Sequence, residues 1–136
     1  MRFLGFLSRI ALGLGFIVFG LNGFLRFIPM PSHGGAAGDF LSAMSSSHYL
    51  AVVWVLEIAG GLLLLTNRVP LGLTLIGPVV VNIVLFHALM DRKGLPMAAV
   101  FGALSLFLLW RNQEAFPALF PKSESGSKAA KKPAKK

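Results

Sequence analysis

Four stretches of the chain are almost free of charge. They run from about Phe3 to Ile28, His48 to Leu65, Val69 to Met90 and Leu95 to Trp110. The first keeps Arg9 and Arg26 near its ends. The second is interrupted only by Glu57, and the third has no formal charge at neutral pH. Each approaches the roughly 20 apolar residues that carry a helix across a hydrocarbon core of about 30 Å. The runs are continuous rather than alternating, and a membrane barrel needs at least about eight strands of about ten residues. Inside lipid every backbone amide must bond within the protein, so helix is the default. The pattern predicts an all-α fold: a four-helix transmembrane bundle in residues 1–120, with spans at 3–28, 48–65, 69–90 and 95–110.

The first stretch begins Met1-Arg2, as a signal peptide would, but its apolar run is too long. Phe27-Ile28-Pro29-Met30-Pro31 is also the wrong chemistry for a cleavage site, so an uncleaved signal-anchor helix is expected. Thr66-Asn67-Arg68 reads as a tight turn, making the second and third spans antiparallel neighbours. Asp91-Arg92-Lys93-Gly94 is a second short turn. Residues 29–47 form the one long loop. Within it, Asp39 is placed to cap a short helix with Phe40, Leu41 and Met44 on one side. Such a helix either seals an interface or acts as a lid over a pocket, and the first reading is favoured.

Composition sharpens this picture. Hydrophobic residues make up 55% of the 136 and charged residues 13%, where a soluble domain carries about 25% charged. Disordered, collagen-like and disulfide-stapled chains are excluded, and a water-soluble globule nearly so. With no Cys, an own disulfide, a Cys nucleophile and a thiolate-bound metal or cluster are excluded too. The net charge of +8 suggests a nucleic-acid binder until its distribution is read. Residues 121–136 carry six Lys and one Glu, hence +5 of the +8, on a low-complexity sequence with nothing apolar beyond Ala and Pro. That segment is expected to be a disordered cytoplasmic tail that adheres to anionic lipid. No aromatic or Arg is interleaved to stack on bases, so nucleic acid is not an expected partner. With the N-terminus inside, Arg2, Arg9, Arg68, Arg111 and the six tail lysines are cytoplasmic, against Arg26, Arg92 and Lys93 outside. The positive-inside rule thus gives N-in/C-in. Tyr49 and Trp110 fall at span ends, where interfacial aromatics belong.

Polar residues inside spans carry the functional signal, because each costs something to bury. At 1.5 Å per residue, Asn22 lies roughly 9 Å, Glu57 roughly 13 Å and Asn82 roughly 12 Å below the outer end of its span. Three helices therefore bring side chains to the same outer half. Ser8, Ala11, Gly15, Asn22 and Arg26 share a stripe on the first span. Glu57 shares a face with Val53, Trp54, Gly60, Gly61 and Leu64, and Asn82 with Pro78, Val79, Leu85, Phe86 and Leu89. Pro78 deprives the Thr74 carbonyl of its donor and should kink the span. The fourth span offers only the small pairs Ala98/Gly102 and Ala99/Ala103, a packing pattern of low specificity that leaves a homo-oligomer open. The candidate polar cluster is Asn22, Glu57, Asn82 and His87, with Trp54 and Arg26.

Glu57 should be neutral or paired at that depth. It either locks the helices by a hydrogen bond to Asn22 or Asn82, worth about 0.6 kcal/mol on average, or handles protons or a ligand. Arg26 and His87 are the candidate counter-charges. Haem is disfavoured, because His87 supplies one axial ligand and no second His lies at matching depth. His33 and His48 flank the outer loop, and joining them to His87 at a metal requires an ordered loop, so no metal site is assigned. Gly60-Gly61 follows no strand and forms no phosphate loop. Catalytic triads and paired-carboxylate sites are not evident, and the chain is not expected to be an enzyme on its own.

Leu21-Asn22-Gly23-Phe24, Phe27 to Pro31, Leu56-Glu57, Gly60 to Leu65 with Asn67-Arg68, Pro78 to Ile83 and Phe86-His87 together resemble the DoxX family, in order, over about Gly5 to Phe120. The resemblance implies a small bacterial inner-membrane protein of four helices. It places the family's polar positions on Asn22, Glu57, Asn82 and His87. It implies an accessory membrane subunit of a redox system, with a quinone as bound group and a redox enzyme as partner. The residues themselves leave two other readings open: a small proton-coupled transporter, and an assembly protein whose polar residues only lock the helices.

Overall fold

The computed structural model of the chain describes residues 2–117. Its regular elements are all helical, and no strand occurs among the described residues. The α-helices are α1 (Arg2–Leu25), α2 (Gly35–Ser46), α3 (Tyr49–Leu65), α4 (Val69–Leu89) and α5 (Leu95–Arg111). A 3-10 turn at Arg92–Gly94 leads into α5, and another at Gln113–Ala115 follows it. The Lys-rich segment read as a disordered tail lies outside the described residues.

Three helical stretches are long and apolar enough to cross a membrane: α1, α4, and Arg92–Arg111 containing α5. There are four if α2 and α3, which meet at a bend of 85°, make one broken span. By itself α3 has 17 residues, about 25 Å of helix. This is compatible with a multi-pass membrane protein. The outward side chains agree: Leu14, Leu62, Leu71, Val81 and Leu106 are all exposed. Water would penalise so continuous an apolar surface, and lipid does not.

Packing runs α1 against α3, α3 against α4, α4 against α5 and α5 back against α1. The core lies between them, with Leu12, Phe16, Leu64, Ile76 and Leu108 fully buried. Small residues set the α1–α3 distance. A Cβ on Gly61 would stand 2.6 Å from the Gly13 carbonyl oxygen, and one on Gly20 would stand 2.8 Å from that of Trp54. The two backbones touch at both places, which only glycine allows.

Several boundaries and faces differ from the expected ones. The first helix stops at Leu25 rather than Ile28, because Arg26 turns into the left-handed region at φ 50° and the chain folds back over Asn22. His48 (φ 62°) makes the corner into α3. The long loop is largely helical. It is capped at Gly34, with Gly35 at φ 60° and Ala36-Ala37 carrying the helix back from the expected start, so Asp39 sits exposed in mid-helix and caps nothing. The expected inward stripe of α1 holds for Ser8 and Asn22, but Ala11 and Arg26 are exposed. On α4 the proposed face splits. Val79 is buried, whereas Pro78, Asn82, Leu85 and Leu89 are exposed.

Candidate functional site

The helices leave a cavity of about 890 Å³ at the end of the molecule where α2 and the α4–α5 turn lie. The residues picked from the sequence all line it: Asn22 and Arg26 from the end of α1, Trp54 and Glu57 from α3, Asn82 and His87 from α4. Their roles are not alike, and hydrogen bonding separates them.

Asn22 is consumed by the backbone. It is 3% exposed. Its Oδ1 accepts from the Ile28 N–H at 2.6 Å, and its Nδ2 donates to the Ile28 carbonyl at 3.2 Å. Both ends of one amide are spent pinning the chain after α1, the kind of local side-chain-to-backbone bond that Asn makes readily where a helix ends. The expected Asn22–Glu57 hydrogen bond is therefore not formed.

His87 is committed to the α4–α5 turn. Its Nδ1–H donates to the Asp91 carbonyl oxygen at 3.0 Å and lies 3.4 Å from Asp91 Oδ2. The imidazole covers Gly94, where any Cβ would overlap the ring. The same carboxylate oxygen is reached by His33 Nε2 at 3.3 Å. His33 precedes α2, so Asp91 ties the loop to the far helix pair. Phe86 packs inside this clasp, with ring centroids 5.8 Å from His33, 5.9 Å from Phe40 and 5.1 Å from His87. No group of three metal-ligating side chains among the described residues is arranged to hold an ion, and His48 stands exposed.

Glu57 is the exception. It is 6% exposed, lines the cavity, and has neither a hydrogen bond nor an ion pair among the described residues. Neither expected counter-charge reaches it: Arg26 is exposed at the end of α1, and His87 faces Asp91. Asn82 also lines the cavity, and it too makes no hydrogen bond among the described residues. Trp54, one turn before Glu57, is held by Gly23, whose missing side chain leaves room for the indole, and by an edge-to-face contact with Phe24 at 5.2 Å.

The sequence reading missed the walls. Helix α5 supplies Met97, Ala98 and Phe101 to the cavity. The Phe101 ring stands edge-on to Phe16 at 5.2 Å and to Phe19 at 5.8 Å, and it fits only because Gly15 has no side chain to meet it. Asp91 and its grip on His33 were missed as well, since a turn aspartate and a loop histidine 58 residues apart carry no local signal of contact. The arrangement can hold a molecule of modest size: aromatic and aliphatic walls, one buried unpartnered acid, and Asn82, Arg26 and Tyr49 on the exposed side. No protein-family model matches the chain, and no curated protein and no solved structure matches it.

Proposed function

We propose that the protein is a four-helix bundle of the bacterial cytoplasmic membrane, oriented N-in/C-in, that holds a small amphiphilic ligand in the outer half of the bundle. In this reading α2 lies along the outer interface, α3 is the remaining span, and the basic tail meets anionic lipid on the inner face. The likeness to DoxX proteins supports an accessory role beside a redox enzyme rather than catalysis by this chain. One observation carries the ligand reading: Glu57 is buried beside a cavity of about 890 Å³ with no partner among the described residues. A carboxylate that only locked helices would be hydrogen-bonded to one of them.

A quinone, the group the resemblance implies, fits by size and not by polarity. Its carbonyls need donors. Of the donors on the lining, the Asn82 amide and the stronger Arg26 are both exposed.

Two measurements test the reading. Single cysteines at Ser32 and Ser125 in this Cys-free chain should label from opposite sides of the membrane for Ser32 as against Ser125. Equal labelling from outside refutes the topology. Uncharged N-phenyl-1-naphthylamine should gain fluorescence on the purified protein. Ala98→Trp, which puts an indole on a buried cavity wall, should abolish the gain. An undiminished signal in that variant refutes the cavity as the site.

A further inference from the structure

The charge of the ligand follows from what the cavity lacks. Among the described residues Glu57 is the one acid on its lining, and it has neither a hydrogen bond nor an ion pair. The basic side chains on that lining are elsewhere engaged or exposed: His33 and His87 converge on Asp91, and Arg26 is exposed at the end of α1. Asn22 has spent its Oδ1 and one Nδ2 N–H on Ile28, which leaves it a single N–H. Phe16, Phe19, Phe40, Trp54, Phe86 and Phe101 line the cavity too, among aliphatic side chains. Once ionised, an unpaired buried carboxylate repels carbonyl and phosphate oxygens, and its ionised form needs a counter-charge from the ligand. It attracts a group that brings positive charge or N–H donors. Aromatic side chains favour the same sign where a ring turns its face to the ligand, because the ring quadrupole presents its negative face.

We propose that the cavity takes a lipophilic cation, a protonated amine or an onium group on an apolar body, with its charge at Glu57 and its body against the aromatic walls. Glu57 then acts as the counter-charge and the rings as the shape filter. This inference rests on the cavity being a ligand site and adds the sign of the ligand. It departs from the quinone that the resemblance implies, and it does so on the donor–acceptor balance of the lining.

Tetraphenylphosphonium serves as the cationic probe, triphenylphosphine oxide as an uncharged aromatic control and decylubiquinone as the quinone. Each is measured by displacement of N-phenyl-1-naphthylamine from the full-length protein. The cation should bind about tenfold or more tighter than the phosphine oxide. Glu57→Gln keeps the side chain's size and removes its charge. It should weaken tetraphenylphosphonium by about tenfold while leaving the phosphine oxide within about threefold, which also shows that the variant is folded. Glu57→Asp should retain the preference for the cation. Equal affinity for charged and uncharged probes, or Glu57→Gln binding the cation as well as the parent, overturns the proposal. Displacement by decylubiquinone but not by the cation overturns it too, while the cavity stays a ligand site. Failure of every probe, including the naphthylamine, overturns the ligand reading itself.

Discussion

Gly61→Ala is the most direct test of how the cavity is framed. The added Cβ would stand 2.6 Å from the Gly13 carbonyl oxygen and 2.7 Å from Ile17 Cγ1, where ordinary contact begins at 3.4 Å. Closing that gap means parting α1 and α3 by about 0.8 Å, the difference between 3.4 and 2.6 Å. The Gly13 oxygen belongs to the backbone, so it cannot rotate away as a side chain would. Overpacking of this kind costs about 1–3 kcal/mol. Replacing glycine by alanine in mid-helix returns about 0.5–1 kcal/mol of propensity. The control is Gly77→Ala on α4, where a Cβ meets nothing within 4 Å and only the propensity gain remains. Because propensity cancels between the two variants, Gly61→Ala should be less stable than Gly77→Ala by about 2 kcal/mol. Equilibrium unfolding in mixed micelles of increasing dodecyl sulfate, followed by far-ultraviolet circular dichroism, measures the difference. Equal stability, or a more stable Gly61→Ala, would refute backbone-to-backbone contact as what sets the α1–α3 distance.

Three further outcomes are expected. Asn22→Ala removes both bonds to Ile28 and should cost about 2 kcal/mol in the same unfolding assay, at about 1 kcal/mol per bond; a loss under about 0.5 kcal/mol would show that the fold-back after α1 is held by other contacts. His33→Ala releases the loop from Asp91, so amide exchange in α2 should quicken by about tenfold while α1 and α4 keep their protection; unchanged exchange in α2 would mean that the clasp does not hold it. Glu57→Met, apolar and of similar length, should leave stability unchanged or raise it by about 1 kcal/mol; a clear loss would return Glu57 to the role of a helix lock.

The helices were legible because their signal is long and redundant. An uncharged run of some twenty residues has few alternatives in lipid, and the turns Thr66-Asn67-Arg68 and Asp91 to Gly94 fall where expected. The ends were less legible because they depend on single residues. The left-handed turn at Arg26 follows from the Asn22 amide finding a backbone partner at Ile28, which no periodicity encodes. The second span was read as straight from His48, whereas length and composition admit it only together with α2 across a sharp bend. Asn22, Glu57 and Asn82, which axial rise alone placed at similar depths, line one cavity. Facing was harder. A face assigned from spacing alone predicted Pro78, Val79, Leu85 and Leu89 with Asn82, and α4 instead buries Val79 and leaves the other four exposed, with Pro78 and Asn82 on the cavity lining. Phe101 was invisible for a related reason: a phenylalanine on an apolar helix looks the same against lipid as against a cavity.

Asn22 and Glu57 looked equivalent as polar residues in apolar spans, and the comparison between them now carries the functional argument. Burying an amide is tolerable when both of its ends are bonded, and Asn22 achieves this within six residues of chain. Its burial is explained by the fold. Burying a carboxylate costs more, and the fold supplies Glu57 with nothing in return: its nearest basic candidates answer to Asp91 or stay exposed. A bundle selected only for stability would place an apolar side chain there, since Gly20 already brings α1 close enough to pack against it. The residue is thus costly where it stands and useful only to something that enters the cavity. For that reason Glu57→Met and Glu57→Gln ask different questions: the first whether the fold needs the acid, the second whether the ligand does. A protein unharmed by the first and blind to cations after the second is one whose acid serves the ligand and not the bundle.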